Sequence, residues 1–280
     1  MFHVEKMEVK DVPFAVHVAN TMSWNMTPAD FEFIMKLEPK GCFVLFHDQR
    51  RSGIATSISF GKVGWFGNLV VKETLRGGGA GKLLIKHALD YLKSEGVETV
   101  GLYAYPHLLR FYESFGFKSD VEFLVLKGNS EMRSDTHETV KAAERQDIPK
   151  IVDFDRQCFG ANRKKLLETV LLNTDNLCCV STENGKVTGY VAAKVDGGIA
   201  EVGPLMCDVN REAEAILLLK TILSRLSGID VFLYIPKEET ALLNVLYEAG
   251  VKEDFRLVRM FLGPAVANNC IYAAESLERG

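Results

Sequence analysis

The sequence predicts an α/β (α+β) protein built from two copies of one fold. Three observations predict it. The chain aligns with itself at an offset of about 135 residues: Glu8-Val9-Lys10-Asp11-Val12-Pro13 returns as Glu144-Arg145-Gln146-Asp147-Ile148-Pro149, Cys42-Phe43-Val44 as Cys178-Cys179-Val180, and Gly116-Phe117-Lys118 as Gly250-Val251-Lys252. Both halves run in the same order of segments: a helix entered through an Asp-apolar-Pro turn, strands, a central helix, a strand, a short helix and a last strand. In the first half, Arg76-Gly77-Gly78-Gly79-Ala80-Gly81 stands between a strand-like run and a helical pattern.

Each element of the first copy has a local reason. Asp11 is an N-cap residue, Pro13 suits a first turn, and Phe14, Val18 and Met22 recur at helical spacing. Thr27-Pro28-Ala29-Asp30 opens a second helix through Met35 in the manner of a capping box. Cys42 to Phe46 and Gly53 to Phe60 are apolar runs around the turn Asp48 to Ser52, and so read as paired strands. Trp65 to Val71 is the strand before the glycine run, and Leu84, Ala88, Tyr91 and Leu92 mark one face of the helix after it. Glu98 to Tyr103 reads as a strand, His107 to Phe115 as a helix and Glu122 to Leu126 as the last strand. The polar stretch Lys127 to Asp135 has no apolar periodicity. The domains expected are therefore 1–127, a linker at 128–136, and 137–280.

Composition sets limits. At 47% hydrophobic and 25% charged residues, the 280-residue chain has the balance of a soluble globular protein with room for two domains. A net charge of -4 gives no electrostatic footprint for nucleic acid, and neither nucleic acid nor membrane is expected as a partner. No apolar run nears the ~20 residues that span a bilayer, and no signal-peptide core leads the chain. Six cysteines without a C-x-x-C pair argue against zinc and for free thiols in a reducing cytosol, so no metal and a cytoplasmic location are expected.

The glycine run is where the two copies part. Consecutive glycines between strand and helix free main-chain N–H groups with no Cβ in the way. The helix dipole adds positive potential at the same place, and Arg76 adds a rigid charged donor. The chemistry is anion binding. G-x-G-x-x-G spacing is missing, and Gly81-Lys82 is followed by Leu83, not Ser or Thr, so the dinucleotide and Walker loops are both excluded. Opposite it in the second copy stands Arg211-Glu212-Ala213-Glu214-Ala215-Ile216. A carboxylate there, about 4 Å from a phosphate, costs on the order of 4 kcal/mol at an effective dielectric near 20. The second copy is expected to bind no such ligand.

Arg76-x-x-Gly79-x-Gly81 resembles the R/Q-x-x-G-x-G/A loop of the GNAT superfamily of acyl-CoA-dependent N-acetyltransferases. Downstream, Phe111-Tyr112-Glu113-Ser114-Phe115-Gly116-Phe117 is similar to that superfamily's Y-E-x-x-G-F signature. Trp24-Asn25-Met26-Thr27 resembles the W-N-x-T stretch of a prokaryotic two-domain GNAT group whose second domain is degenerate. The resemblance covers about residues 1–127, and the rest as a decayed copy. It implies two tandem folds, each a mixed, mostly antiparallel sheet flanked by helices.

What the resemblance implies for the site follows by position. Acetyl-CoA is the co-substrate. Main-chain groups of Leu69, Val70 and Val71 would meet its pantetheine arm as an added strand does. Arg76, Gly77, Gly78, Gly79, Ala80, Gly81 and Lys82 would hold the pyrophosphate. Tyr112 matches the tyrosine that gives a proton to the leaving thiolate, and a phenol near pKa 10 suits that transfer. Its counterpart is Leu246, with Tyr247 turned about 100 degrees around the helix. Tyr105 stands where many members place a cofactor-contacting asparagine. The general base is open between His107, beside the Tyr112 helix, and water. Trp24 and Asn25 sit in the loop that reads the acceptor, where Trp24 either lines the pocket or anchors the loop. The acceptor expected is a primary amine of a small molecule or amino-acid derivative. A protein acceptor, an acyl-CoA sensor and a homodimer all stay open.

Overall fold

A computed structural model of the chain describes residues 1–130, 132, 139–266 and 270–280. It divides into two compact units, one of residues 1–102 with Arg279 and one of residues 103–278 with Gly280. In the first, β1 (Phe2–Lys6), α1 (Val12–Asn20), α2 (Pro28–Leu37), β2 (Cys42–His47), β3 (Arg50–Ser59), β4 (Val63–Val71), α3 (Ala80–Ser94) and the start of β5 (Thr99–Ala104, the last two residues of which fall in the second unit) follow in order. The sheet runs β1-β2-β3-β4-β5, antiparallel except for the last pair. β1 has no counterpart in the sequence reading. Its only signal is the alternation of Phe2 and Val4 with polar neighbours.

Local chemistry explains the helix starts. Thr27 caps α2 and closes a capping box with Asp30. Before α1, a 3-10 turn at Val9–Asp11 carries a box between Glu8 and Asp11, and Glu144 and Asp147 form the same box before the second copy's first helix. The duplicated sequence thus builds a duplicated turn. Met7, Ala15, Val18, Phe31, Ile34, Val44 and Ile54 form the core under α1 and α2. Across the sheet, α3 buries Leu84, Ile85, Ala88 and Leu92. Trp65 lies so close over Gly101 that a Cβ there would sit 2.3 Å from its ring.

In the second unit come α4 (Leu109–Glu113), β6 (Lys118–Asn129), β7 (Val140–Ala142), α5 (Ile148–Phe159), α6 (Lys164–Leu171), β8 (Leu177–Glu183), β9 (Lys186–Asp196), β10 (Ile199–Asp208), α7 (Glu212–Arg225), β11 (Asp230–Pro236), α8 (Thr240–Glu248), β12 (Lys252–Leu262) and β13 (Cys270–Ala273). Its strand order is β12-β6-β11-β10-β9-β8-β7, with β13 on β10. Among its described residues only β10 and β11 are parallel neighbours. The expected mixed, mostly antiparallel α/β sheet is therefore present in both units. α7 and α8 cover one face and α5 the other.

Sequence copies and compact units are different divisions of the chain. β6, the last strand of the first copy by sequence, lies between β11 and β12 of the second unit. Gly128 and Asn129, read from the sequence as the start of a linker, are the last residues of β6, and Ser130 is buried. Positions 131 and 133–136 of that linker lie outside the described residues. One expectation is corrected: the six cysteines are not all free thiols, because Cys158 and Cys270 are joined, with Cα atoms 5.6 Å apart. Cys42, Cys178, Cys179 and Cys207 are free.

Candidate functional site

β4 carries the site's frame. It pairs with β5 only from Val63 to Trp65, opposite Thr99 to Gly101. Beyond that point the two parallel strands part. Among the described residues no strand takes up the side of β4 that β5 leaves. The Lys72 amide donates to the Ser52 carbonyl at 2.8 Å, and the Val70 carbonyl also turns toward β3, at Gly53. Alternation along a strand then turns the main-chain groups of Leu69 and Val71 to the open side. Val70 contributes its side chain to the core, so of the three residues expected to offer main-chain groups, Leu69 and Val71 face the fork.

A turn at the end of β4 delivers the chain to α3. Gly77 and Gly79 have φ of 80 and 85 degrees, and an added Cβ would meet nothing within 4 Å at either. Glycine is there for backbone conformation and for open space above it, which is what a ligand brought against main-chain amides requires. Gly79 is the N-cap of α3. The first bond of the helix runs from Leu83 N–H to the Gly79 carbonyl at 3.1 Å, leaving the amides of Ala80, Gly81 and Lys82 without an intrahelical acceptor. Arg76 is committed in part: its Nε donates to the Val71 carbonyl at 3.0 Å, and its Nη2 lies 3.5 Å from Met22 Sδ. It ties the loop to the end of β4 and to α1's exit.

Trp24 and Asn25 lie in the turn between α1 and α2. Trp24 is half-buried and packs on the first unit's core. Asn25 is exposed at φ 54 degrees. Asn20 staples the turn from both ends, donating to the Met26 carbonyl at 2.8 Å and accepting from its amide at 2.7 Å.

Tyr105, His107 and Tyr112 belong to the second unit. Tyr105 stacks between His107 and Phe255, each with ring centroids 5.7 Å away. His107 is exposed in a 3-10 turn. Tyr112 is buried on α4 beside Phe111 and Phe117. Burial pushes its phenol above its ordinary pKa, so it is protonated at any working pH and is a weaker acid than a free tyrosine. That corrects the expectation of an ordinary phenol near 10. Leu246 is fully buried and Tyr247 is 45% exposed, the two orientations that helix geometry required.

The second unit shows what a closed version of this frame looks like. β10 and β11 pair in parallel only from Ile199 to Glu201, opposite Asp230 to Phe232. Past that point β13 enters the fork, pairing Cys270–Ala273 with Asp208–Leu205 of β10. Ala274 N–H donates to Tyr234 of β11 at 2.9 Å. At Gly203 a Cβ would lie 2.0 Å from the Ala274 carbonyl oxygen. At the start of α7, Arg211 pairs with Glu183 and Glu214, and Thr188 and Ser181 also hydrogen-bond Glu214. Burial alone would raise the pKa of Glu214, but those hydrogen bonds lower it. The chain's own carboxylate and strand occupy the positions that are open in the first unit. Among the described residues, no group of three His, Cys, Asp or Glu is placed to hold a metal ion.

Residues 13–117 match the family model described as acetyltransferase (GNAT) family, and residues 151–273 match the acetyltransferase (GNAT) domain model. The chain belongs to the GNAT acetyltransferases and carries two GNAT domains in tandem. Among solved structures, it is similar to a Pyrococcus horikoshii protein classed with the acetyltransferases, at 19% identity over 100% of this chain and 96% of that one, with a TM-score of 0.84. A GCN5-related N-acetyltransferase from Sphaerobacter thermophilus matches at 15% identity, 95% and 97% coverage and a TM-score of 0.66. A tandem GNAT protein of the clavulanic acid biosynthesis pathway matches at 11% identity, 95% and 100% coverage and a TM-score of 0.66. At these identities the likeness is one of fold. No curated protein matches the sequence.

Proposed function

We propose that this acetyltransferase moves the acetyl group of acetyl-CoA directly to a primary amine of a small molecule or amino-acid derivative. The observation that carries the reading is the open side of β4 beside the loop at the start of α3. Leu69 and Val71 offer main-chain groups there for a pantetheine arm. The amides of Gly77 to Lys82, with Arg76 beside them, suit a pyrophosphate. Acetyl-CoA supplies an activated thioester. The amine nitrogen forms the new C–N bond as the C–S bond breaks, the sulfur keeps the electron pair, and one proton leaves the nitrogen while one is delivered to the sulfur. Tyr112, by its place in the motif, is the donor of that second proton. His107, exposed and without a charged partner among the described residues, or water takes the first.

The location we propose is cytoplasmic, on the four cysteines that stay free. The Cys158–Cys270 bridge argues the other way. The deciding experiment is a panel of primary amines incubated with acetyl-CoA and the full chain, following free thiol release. Amine-dependent release with a mass gain of one acetyl group on the amine supports the reading. Acetyl-CoA binding in calorimetry with no release across the panel turns it toward an acyl-CoA sensor, and release only with peptides turns it toward a protein acetyltransferase.

A further inference from the structure

Asn68 is the residue of β4 whose backbone departs from that of a strand. It adopts φ of 51 degrees in mid-strand, a left-handed conformation that asparagine tolerates better than most residues. The register shows why. Thr56 pairs with Gly67 and Ile54 with Val70, so Asn68 and Leu69 together face the single residue Ala55. That is a β-bulge, and a bulge re-aims the groups that follow it. The bulge lies just past Trp65, where pairing with β5 ends. The Asn68 side chain is buried, and its Nδ2 donates to Thr56 Oγ1 at 3.1 Å, a bond across the strands inside the sheet.

The second unit is a control supplied by the chain itself. There Val202 pairs with Ala193 and Leu205 with Val191, leaving Gly203 and Pro204 opposite Ala192. Position by position, the bulge is kept while its chemistry is gone. Asn68 is replaced by Gly203, which has no side chain. Thr56 is replaced by Ala193, which has no hydroxyl. Leu69 is replaced by Pro204, which has no N–H. The three losses coincide in the unit whose fork is filled by β13.

We propose that the Asn68–Thr56 pair is a positioning device for acyl transfer: it fixes the bulge so that the Leu69 N–H is presented from the open side of β4 to the acyl ligand. Thr56 is fully buried inside the sheet and bonded to Asn68, so it acts only through Asn68. Asn68 in turn acts through the peptide that follows it. The proposal rests on the acetyl-CoA reading above and deepens it to named residues.

The test uses the full chain and acetyl-CoA. Thr56→Val removes the hydroxyl at nearly constant volume, Asn68→Gly removes the side chain while tolerating the positive φ, and Thr56→Ser is the conservative rescue. With the best amine of the panel, Thr56→Val and Asn68→Gly should each lower kcat about tenfold. KM for acetyl-CoA should stay within about twofold in both, and Thr56→Ser should stay within about twofold of wild type throughout. A readout independent of turnover is the amide resonance of Leu69 in a 15N-labelled chain. It should move on addition of acetyl-CoA in wild type and less than about half as far in Thr56→Val, if the hydroxyl sets the direction of that N–H. Unchanged kcat in both variants, or an equal shift of the Leu69 resonance, overturns the pair's role while leaving the acetyl-CoA reading intact. A wild-type chain that binds no acetyl-CoA in calorimetry overturns that reading, and the positioning role with it.

Discussion

Gly79 is the position at which the proposed anion site can be tested most sharply, because structure separates two effects of substituting it. Its φ of 85 degrees strains any side chain, and an added Cβ would meet nothing in the protein. Gly79→Ala should therefore cost about 1–2 kcal/mol of stability through left-handed strain alone. Gly79→Glu carries the same strain and adds a charge where the pyrophosphate would lie. At an effective dielectric near 20, that charge repels a phosphate by about 4 kcal/mol at 4 Å, and by about 2 kcal/mol if the side chain swings to 8 Å. At 1.4 kcal/mol per decade, the expected loss of acetyl-CoA affinity relative to Gly79→Ala is about 30-fold to 1000-fold. Titration calorimetry of both variants at low salt measures it, and thermal melting checks that they are folded to the same degree. The helix dipole should favour the free Glu variant by about 0.3–1 kcal/mol, which works against its being unfolded. Affinity for acetyl-CoA within about threefold of Gly79→Ala would refute the phosphate assignment of the loop.

Three further outcomes are expected. Tyr112→Phe should leave acetyl-CoA affinity within a few-fold and lower kcat about 10²-fold, the low end for a positioned acid, because burial has already made the phenol a reluctant donor; steady-state kinetics with calorimetry measures both. Asp155→Ala should destabilise the second unit by about 3–5 kcal/mol in denaturant titration, since it strands Arg163, which is 1% exposed and bonded to Asp155 at 2.6 Å. Glu239 is raised from 4.5 to about 7, first by burial and then by Glu212 and Glu238. A carboxyl whose folded pKa is raised contributes its stability while protonated, so melting temperature should fall as pH rises from about 4.5 through about 7, and Glu239→Gln should flatten that fall.

The parts of the fold legible in sequence were those whose cause is local. Thr27 and Asp30 announced their capping box, Leu84 to Leu92 their helix face, and the glycines their turn. β1 was missed because five residues with two apolar positions give little signal, and β13 because its partner β10 lies more than 60 residues earlier. The Cys158–Cys270 bridge spans 112 residues and has no local signature. Tyr112 was found through its motif, but its burial depends on contacts that no spacing announces. Asn68 was not found, because positive φ in mid-strand is visible only once the register with Thr56 is known.

Filling of the second fork by β13 has a consequence for engineering a second active centre. Grafting the glycine loop onto the start of α7 would remove Glu214 and still leave the slot taken. A tethered strand competes at an effective concentration on the order of millimolar, whatever ligand is added from outside. A metabolite present at micromolar levels would have to bind a thousandfold more tightly than the resident strand to displace half of it. The second domain is thus a receptor saturated by its own chain, and its remaining freedom to change function lies on its outer surfaces, where nothing comparable has to be evicted first.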